Sequence, residues 1–123
     1  MARLKLKLQF YCGDEIAMGP GKADLLEAIA REGSISAAGR AMGMSYRRAW
    51  LLVDTMNRCF NAPLVATQPG GGKAAGARLT REGEAALAVY RALSAQVEAG
   101  VPGGDFAALE AAIRPRPLPA QPH

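Results

Sequence analysis

The stretch that decides the fold is GSISAAGRAMGMSYRRAW, residues 33–50. Ser34 and Ser36 are both strong helix N-cap types, and a short helix is predicted from about Ser36 to Met42. Gly43 supplies a turn, and Ser45 can cap a second helix running to about Phe60. In that helix Ala49, Leu52 or Val53, Met56 and Phe60 recur at i, i+3/4, i+7 and i+11. Two helices joined by a glycine-containing turn form the helix-turn-helix unit, whose second helix enters the DNA major groove by its N-terminal residues.

Upstream, Gly33 stops an earlier helix that is predicted to begin at Lys22, after the break Gly19-Pro20-Gly21, and to carry Leu25, Leu26 and Ile29 on one face. Before it, residues 3–11 read RLKLKLQFY, with Leu4, Leu6, Leu8 and Phe10 on one side and Arg3, Lys5, Lys7 and Gln9 on the other. That alternation predicts a half-buried strand, which turns at Gly13-Asp14 and returns over Glu15 to Met18 as a hairpin. Lysines on the polar side of such an edge read first as protection against aggregation.

Downstream, Pro63 closes the region and LVATQ from Leu64 reads as a strand. The glycine-rich loop PGGGKAAG and the short strand ARLT follow, ending at Thr80. Two strands around a flexible loop, directly after a helix-turn-helix, make a wing. Thr80 caps a long helix from about Arg81 to Ala99, with Ala86, Val89 or Tyr90, Leu93 and Val97 at helical spacing. Residues 100–104 interrupt it, DFAALEAAI predicts a short further helix, and RPRPLPAQPH reads as an extended, disordered tail. The fold class is mainly α with small β: a winged helix-turn-helix with an N-terminal β-hairpin and a long C-terminal helix. Residues 1–99 form the DNA-binding domain (helix-turn-helix about 22–60, wing about 64–80, long helix about 81–99), and 100–123 the short helix and Pro-rich tail.

The chain has 123 residues, half of them apolar, enough for one core. Its net charge of +4 is unevenly spread: from Ser34 to Arg81 seven basic residues face the single acid Asp54, a local +6. Ser45, Tyr46, Arg47 and Arg48 occupy the start of the second helix, where arginine can pair with guanine and serine or tyrosine with phosphate. Consecutive arginines point about 100° apart, so Arg47 is assigned to bases and Arg48 to phosphate. Glycines 70, 71, 72 and 76 let the wing backbone approach a phosphate, with Lys73 and Arg78 as its charges. Ser34 and Ser36 are further candidates for phosphate. Trp50, a lone tryptophan in an apolar helix, is expected to pack that helix against its neighbours.

Other chemistry fits poorly. A Walker loop ending at Gly72-Lys73 requires glycine at Thr67 and a hydroxyl at Ala74. The lone histidine is the last residue, and Cys12 and Cys59 lie far apart in sequence without a zinc-ligand pattern, so no metal, cofactor or enzymatic activity is expected and the thiols are expected reduced. The charged N-terminus does not read as a signal peptide and no stretch reads as a membrane span, which implies a cytoplasmic protein.

Taken together, SIS, SYRRAW, Met56-Asn57, Leu64-Val65, GGGKAAGARLT and Arg81-Glu82-Gly83 resemble the N-terminal DNA-binding domain of ModE-type molybdate-responsive regulators, relatives of the LysR type, over about residues 3–98. The resemblance implies a homodimer that binds palindromic promoter sites, its interface drawn partly from the N-terminal segment and the long helix. It also implies oxyanion-binding C-terminal domains, for which the 24 residues after Ala99 are too few, so no oxyanion-binding domain and no molybdate ligand are expected. The competing reading is a winged-helix module that recruits a protein partner.

Overall fold

The computed structural model describes residues 3–68 and 76–121. The loop glycines 70–72 and Lys73 lie outside them. The elements in order are β1 (Phe10–Cys12), β2 (Glu15–Met18), α1 (Pro20–Glu32), α2 (Ile35–Ala41), α3 (Tyr46–Cys59), β3 (Val65–Gln68), β4 (Gly76–Leu79), α4 (Arg81–Gly100) and α5 (Gly104–Ala112). This is the winged helix-turn-helix that the spacing predicts, with two separate antiparallel hairpins, β1–β2 and β3–β4.

Local chemistry accounts for the boundaries. Pro20 opens α1 at its first position, where the missing N–H costs nothing, so the helix begins two residues before the expected Lys22. Gly33 ends it in a left-handed conformation at φ 80°, its N–H donating to Ile29 at 2.8 Å. Ser34 caps α2, accepting from the Ala37 N–H at 3.0 Å, so that helix starts at Ile35, one residue before Ser36. Ser45 and Thr80 cap α3 and α4 in the same way, each such cap contributing about 1 kcal/mol.

The expected strand over residues 3–11 is much shorter. β2 has four residues and ends where Pro20 starts a helix, so only Phe10, Tyr11 and Cys12 find ladder partners, in Met18, Ile16 and Glu15. Residues 3–9 have no partner strand among the described residues. Leu8 packs against the core instead, and its carbonyl accepts a 2.7 Å hydrogen bond from the Tyr90 hydroxyl.

Leu25, Leu26 and Ile29 of α1, Met56 of α3 and Leu64 are fully buried, and burial of each such side chain is worth about 1.5–3 kcal/mol. Ala49 and Val53 join them, which selects Val53 over Leu52 for the α3 stripe, and Phe60 is half-buried. On α4 the core takes Tyr90, leaving Val89 66% exposed. Arg91 ties α4 to α1 through Asp24 at 2.7 Å and Glu27 at 2.6 Å. Cys12 and Cys59, distant in sequence, are free thiols lining one apolar groove with Phe10, Met18 and Val89; burial, and next the Cys12 thiol, raise the pKa of Cys59.

Candidate nucleic-acid interface

The turn between α2 and α3 is tight. Gly43 takes φ 70°, a left-handed value that a side chain would strain, and Met44 N–H donates to Gly39 C=O at 2.9 Å. A Cβ on Gly39 would stand 3.2 Å from that of Ala49, so both positions need small residues for the two helices to cross this closely. Crossing there leaves the first turn of α3 clear of the core: Ser45, Tyr46, Arg47 and Arg48 are all exposed. The Ser45 hydroxyl accepts from the Arg48 N–H at 3.1 Å and retains its own proton for a further acceptor.

Charge is sorted by the tertiary structure. Arg58 makes a two-pronged pair with Glu15, both contacts 2.9 Å, and bonds Asp54 at 2.9 Å. It therefore does not add to the free basic charge, although it counts toward the local +6. Asp54, the one acid of that segment, is neutralised by the same contact. Among the described residues no carboxylate lies within ion-pair distance of Arg47, Arg48 or Arg78. Lys22, on the first turn of α1, is near enough to Arg48 for the two charges to oppose each other. Burial foremost, and then Arg48, push its pKa below the ordinary lysine value, partly offset by Cys59 and Glu15.

The wing is anchored at both ends. Asn57 on α3 accepts from the N–H groups of Leu64 and Val65 at 2.8 and 3.2 Å and donates to the Val65 carbonyl at 3.1 Å. On the other strand, Ala77 N–H donates to Gly33 C=O at 2.9 Å. Arg78 and Ser34 are thus each one residue from the same hydrogen bond, which brings the wing beside the start of α2. Gly76, expected to free the backbone for a phosphate, has a different role: a Cβ there would stand 3.0 Å from the Gly33 carbonyl, so glycine permits this docking. Ser36 accepts from the exposed Arg40 guanidinium at 2.8 Å.

One expectation is overturned. Trp50 is 45% exposed and lies outside the buried core, because Ala49, Val53 and Met56 already supply the buried stripe and Trp50 falls off it. Sequence reading also passed over Lys22, whose neighbour Arg48 is 26 positions away, and the wing-holding bonds of Asn57, for which no local signal exists.

Residues 22–84 match the family described as bacterial regulatory helix-turn-helix protein, lysR family. The molybdenum-pterin-binding protein MopB of Rhodobacter capsulatus is 49% identical over 80 residues, covering 65% of this chain and 30% of that protein. The DNA-binding transcriptional dual regulator ModE of Escherichia coli (strain K12) is 37% identical over 91 residues, covering 74% of this chain and 33% of that one. The chain therefore spans about a third of the length of these curated relatives. A chain from the crystal structure of a CbnR_DBD–DNA complex superposes with a TM-score of 0.51 at 20% identity, over 74% of this chain and 95% of the other, a likeness of fold. The expected resemblance to ModE-type and LysR-type regulators is borne out, and with its match running from Lys22 through the wing to Glu84, the chain belongs to the bacterial regulatory helix-turn-helix proteins of the lysR family.

Proposed function

We propose that this chain is a sequence-specific DNA-binding transcriptional regulator, acting as a homodimer on palindromic promoter sites. The observation that carries the reading is Arg47, exposed on the first turn of a capped helix, with no carboxylate within ion-pair distance among the described residues. In a helix-turn-helix this is the turn that meets base edges. Arg47 reads bases and Arg48 contacts phosphate. Ser45 and Tyr46 on α3, Ser34 and Ser36 at the start of α2, and Lys73 and Arg78 of the wing complete the contacts. Residues 1–99 act as the DNA-binding unit and 100–123 as an appendage. The reading places the protein in the cytoplasm and assigns it no catalytic step.

The dimer reading is supported by an open apolar groove of about 440 Å³ between the N-terminal hairpin and α4, lined by Phe10, Tyr11, Val89 and Leu93 among others. Tyr11 is 62% exposed, a large apolar area to leave in water. A second reading, recruitment of a protein partner, is favoured by α5, which has no buried residue and leaves Leu109 exposed.

Binding to genomic DNA fragments at two salt concentrations tests the proposal. A regulator retains a preferred fragment against competitor DNA, loses affinity steeply as salt rises, and protects half-sites about 10 base pairs apart or a multiple of that. Absence of any preferred fragment would favour the partner-recruiting module.

A further inference from the structure

We propose that Trp50 and Leu51 read thymine C5-methyl groups in the major groove, an apolar contact added to the polar reading by Arg47. This rests on the DNA-binding reading and specifies what the middle of α3 recognises.

With successive residues about 100° apart, the buried stripe of Ala49, Val53 and Met56 defines the inner side of α3. Arg47 and Leu51 lie on the opposite line, one turn apart. Tyr46 and Trp50 form the flank beside it, again one turn apart. Leu51 is 44% exposed, Trp50 45% and Tyr46 57%. The helix therefore presents a second apolar surface, on its outer side, that the monomer's core does not use.

The surroundings of that surface select its occupant. It is contiguous with Arg47 and Arg48, which have no carboxylate within ion-pair distance among the described residues. Farther along the same outer line, Asp54 would repel phosphate, but Arg58 holds it at 2.9 Å. A protein covering Trp50 and Leu51 would have to supply carboxylates for two arginines as well as apolar side chains. Duplex DNA supplies phosphates and guanine edges for the arginines, and in the same groove the thymine methyl is the apolar group of the base edges. Four residues of helix advance about 6 Å, or roughly two base steps at 3.4 Å each. The methyl groups therefore lie about two base pairs from the base that Arg47 contacts.

The test uses a genomic fragment retained by the protein, synthesised once with thymidine and once with deoxyuridine, which lacks only the methyl group. Wild type is expected to bind the uridine DNA at least about tenfold more weakly, the scale of losing one buried methyl contact in each of the two half-sites. The Trp50→Ala/Leu51→Ala double variant should bind both DNAs alike, at the weaker level. Arg47→Ala should retain the preference for thymidine. Equal affinity of wild type for the two DNAs overturns the proposal while leaving DNA binding intact. Persistence of the preference in the double variant also overturns it, since the methyl effect would then come from the duplex itself. If wild type retains no fragment at all, this proposal and the DNA-binding reading fail together. Both side chains are substantially exposed, so the double variant should fold, and a circular dichroism melt checks that. The wild-type comparison decides the matter whatever the variant does.

Discussion

The side-chain amide of Asn57 closes on the backbone of Val65 from both sides, accepting from its N–H at 3.2 Å and donating to its C=O at 3.1 Å. With the further bond from Leu64 N–H, one side chain on α3 replaces a missing strand partner at the root of the wing. Asn57→Ala should lower stability by about 2 kcal/mol, because partly buried backbone groups lose their partners. Urea unfolding measures the loss. Hydrogen exchange should show it concentrated at the amides of Leu64 and Val65, and protection unchanged there would remove Asn57 from this role.

Gly83 packs against the backbone of Leu64 so closely that a Cβ would overlap the carbonyl oxygen. The obstruction is backbone, so little can give way, and Gly83→Ala should cost about 3 kcal/mol or prevent folding. Gly21, also on a helix, has nothing within 4 Å of its Cβ position, so Gly21→Ala should leave stability unchanged or raise it by up to about 1 kcal/mol. Melting temperatures of the pair separate a packing requirement from a general dislike of losing helical glycine.

Ser45 combines a structural and a proposed binding role that two substitutions can divide. Ser45→Ala removes the cap on the Arg48 N–H and should cost about 1 kcal/mol. Ser45→Asp preserves an N-cap acceptor, so stability should hold, while a negative charge arrives where a phosphate is expected. DNA affinity should then drop with the fold intact. An Asp variant that bound as well as wild type would take Ser45 off the DNA face.

The Arg58 guanidinium, hydrogen-bonded to Glu15, holds that carboxyl below its ordinary range. A depressed carboxylate stabilises the fold above its unfolded pKa of about 4.3, and the contribution disappears as pH falls through the lower folded value. Thermal melts of wild type and Glu15→Gln should therefore differ at neutral pH and converge in acid, the gap starting to close below the unfolded value of about 4.3 and vanishing only beneath the lower folded one. The difference at neutral pH should be small, since both partners are about half exposed. A gap that persisted in acid would show that the charge is not its source.

At the proposed DNA face the arginines should differ in kind. Arg47→Ala should cost about 1–3 kcal/mol and relax base preference at one position of each half-site. Arg78→Ala should weaken all sequences alike and flatten the dependence on salt by about one unit. Titrations against the preferred fragment and a scrambled one, at several salt concentrations, distinguish the two. Equal losses on both DNAs for Arg47→Ala would assign it to phosphate.

Most of the helix-turn-helix was legible because the signals are local. Caps at Ser45 and Thr80, the breaks at Gly33 and Gly43, and the recurrence of Ala49, Val53 and Met56 act within one or two turns of chain, and the observed elements follow them closely. The hairpin turn at Gly13-Asp14 belongs with these. The local concentration of basic charge is likewise a property of the sequence alone.

Tertiary structure decided what depends on distant neighbours. Alternation makes residues 3–9 able to be a strand, but a ladder needs a partner backbone, and β2 ends too soon to provide one. Apolar character favours burial for both Trp50 and Val53, yet the crossing of α2 and α3 admits only the second. Arg58 and Arg47 are alike as residues of a basic segment, and only the approach of Glu15, 43 positions away, neutralises one, while the other has no carboxylate within ion-pair distance among the described residues. The first turn of α3 was readable as a helix from its own residues. That Trp50 and Leu51 stand on its outer side, beside arginines that no carboxylate among the described residues neutralises, is a consequence of how the three helices and the hairpin pack.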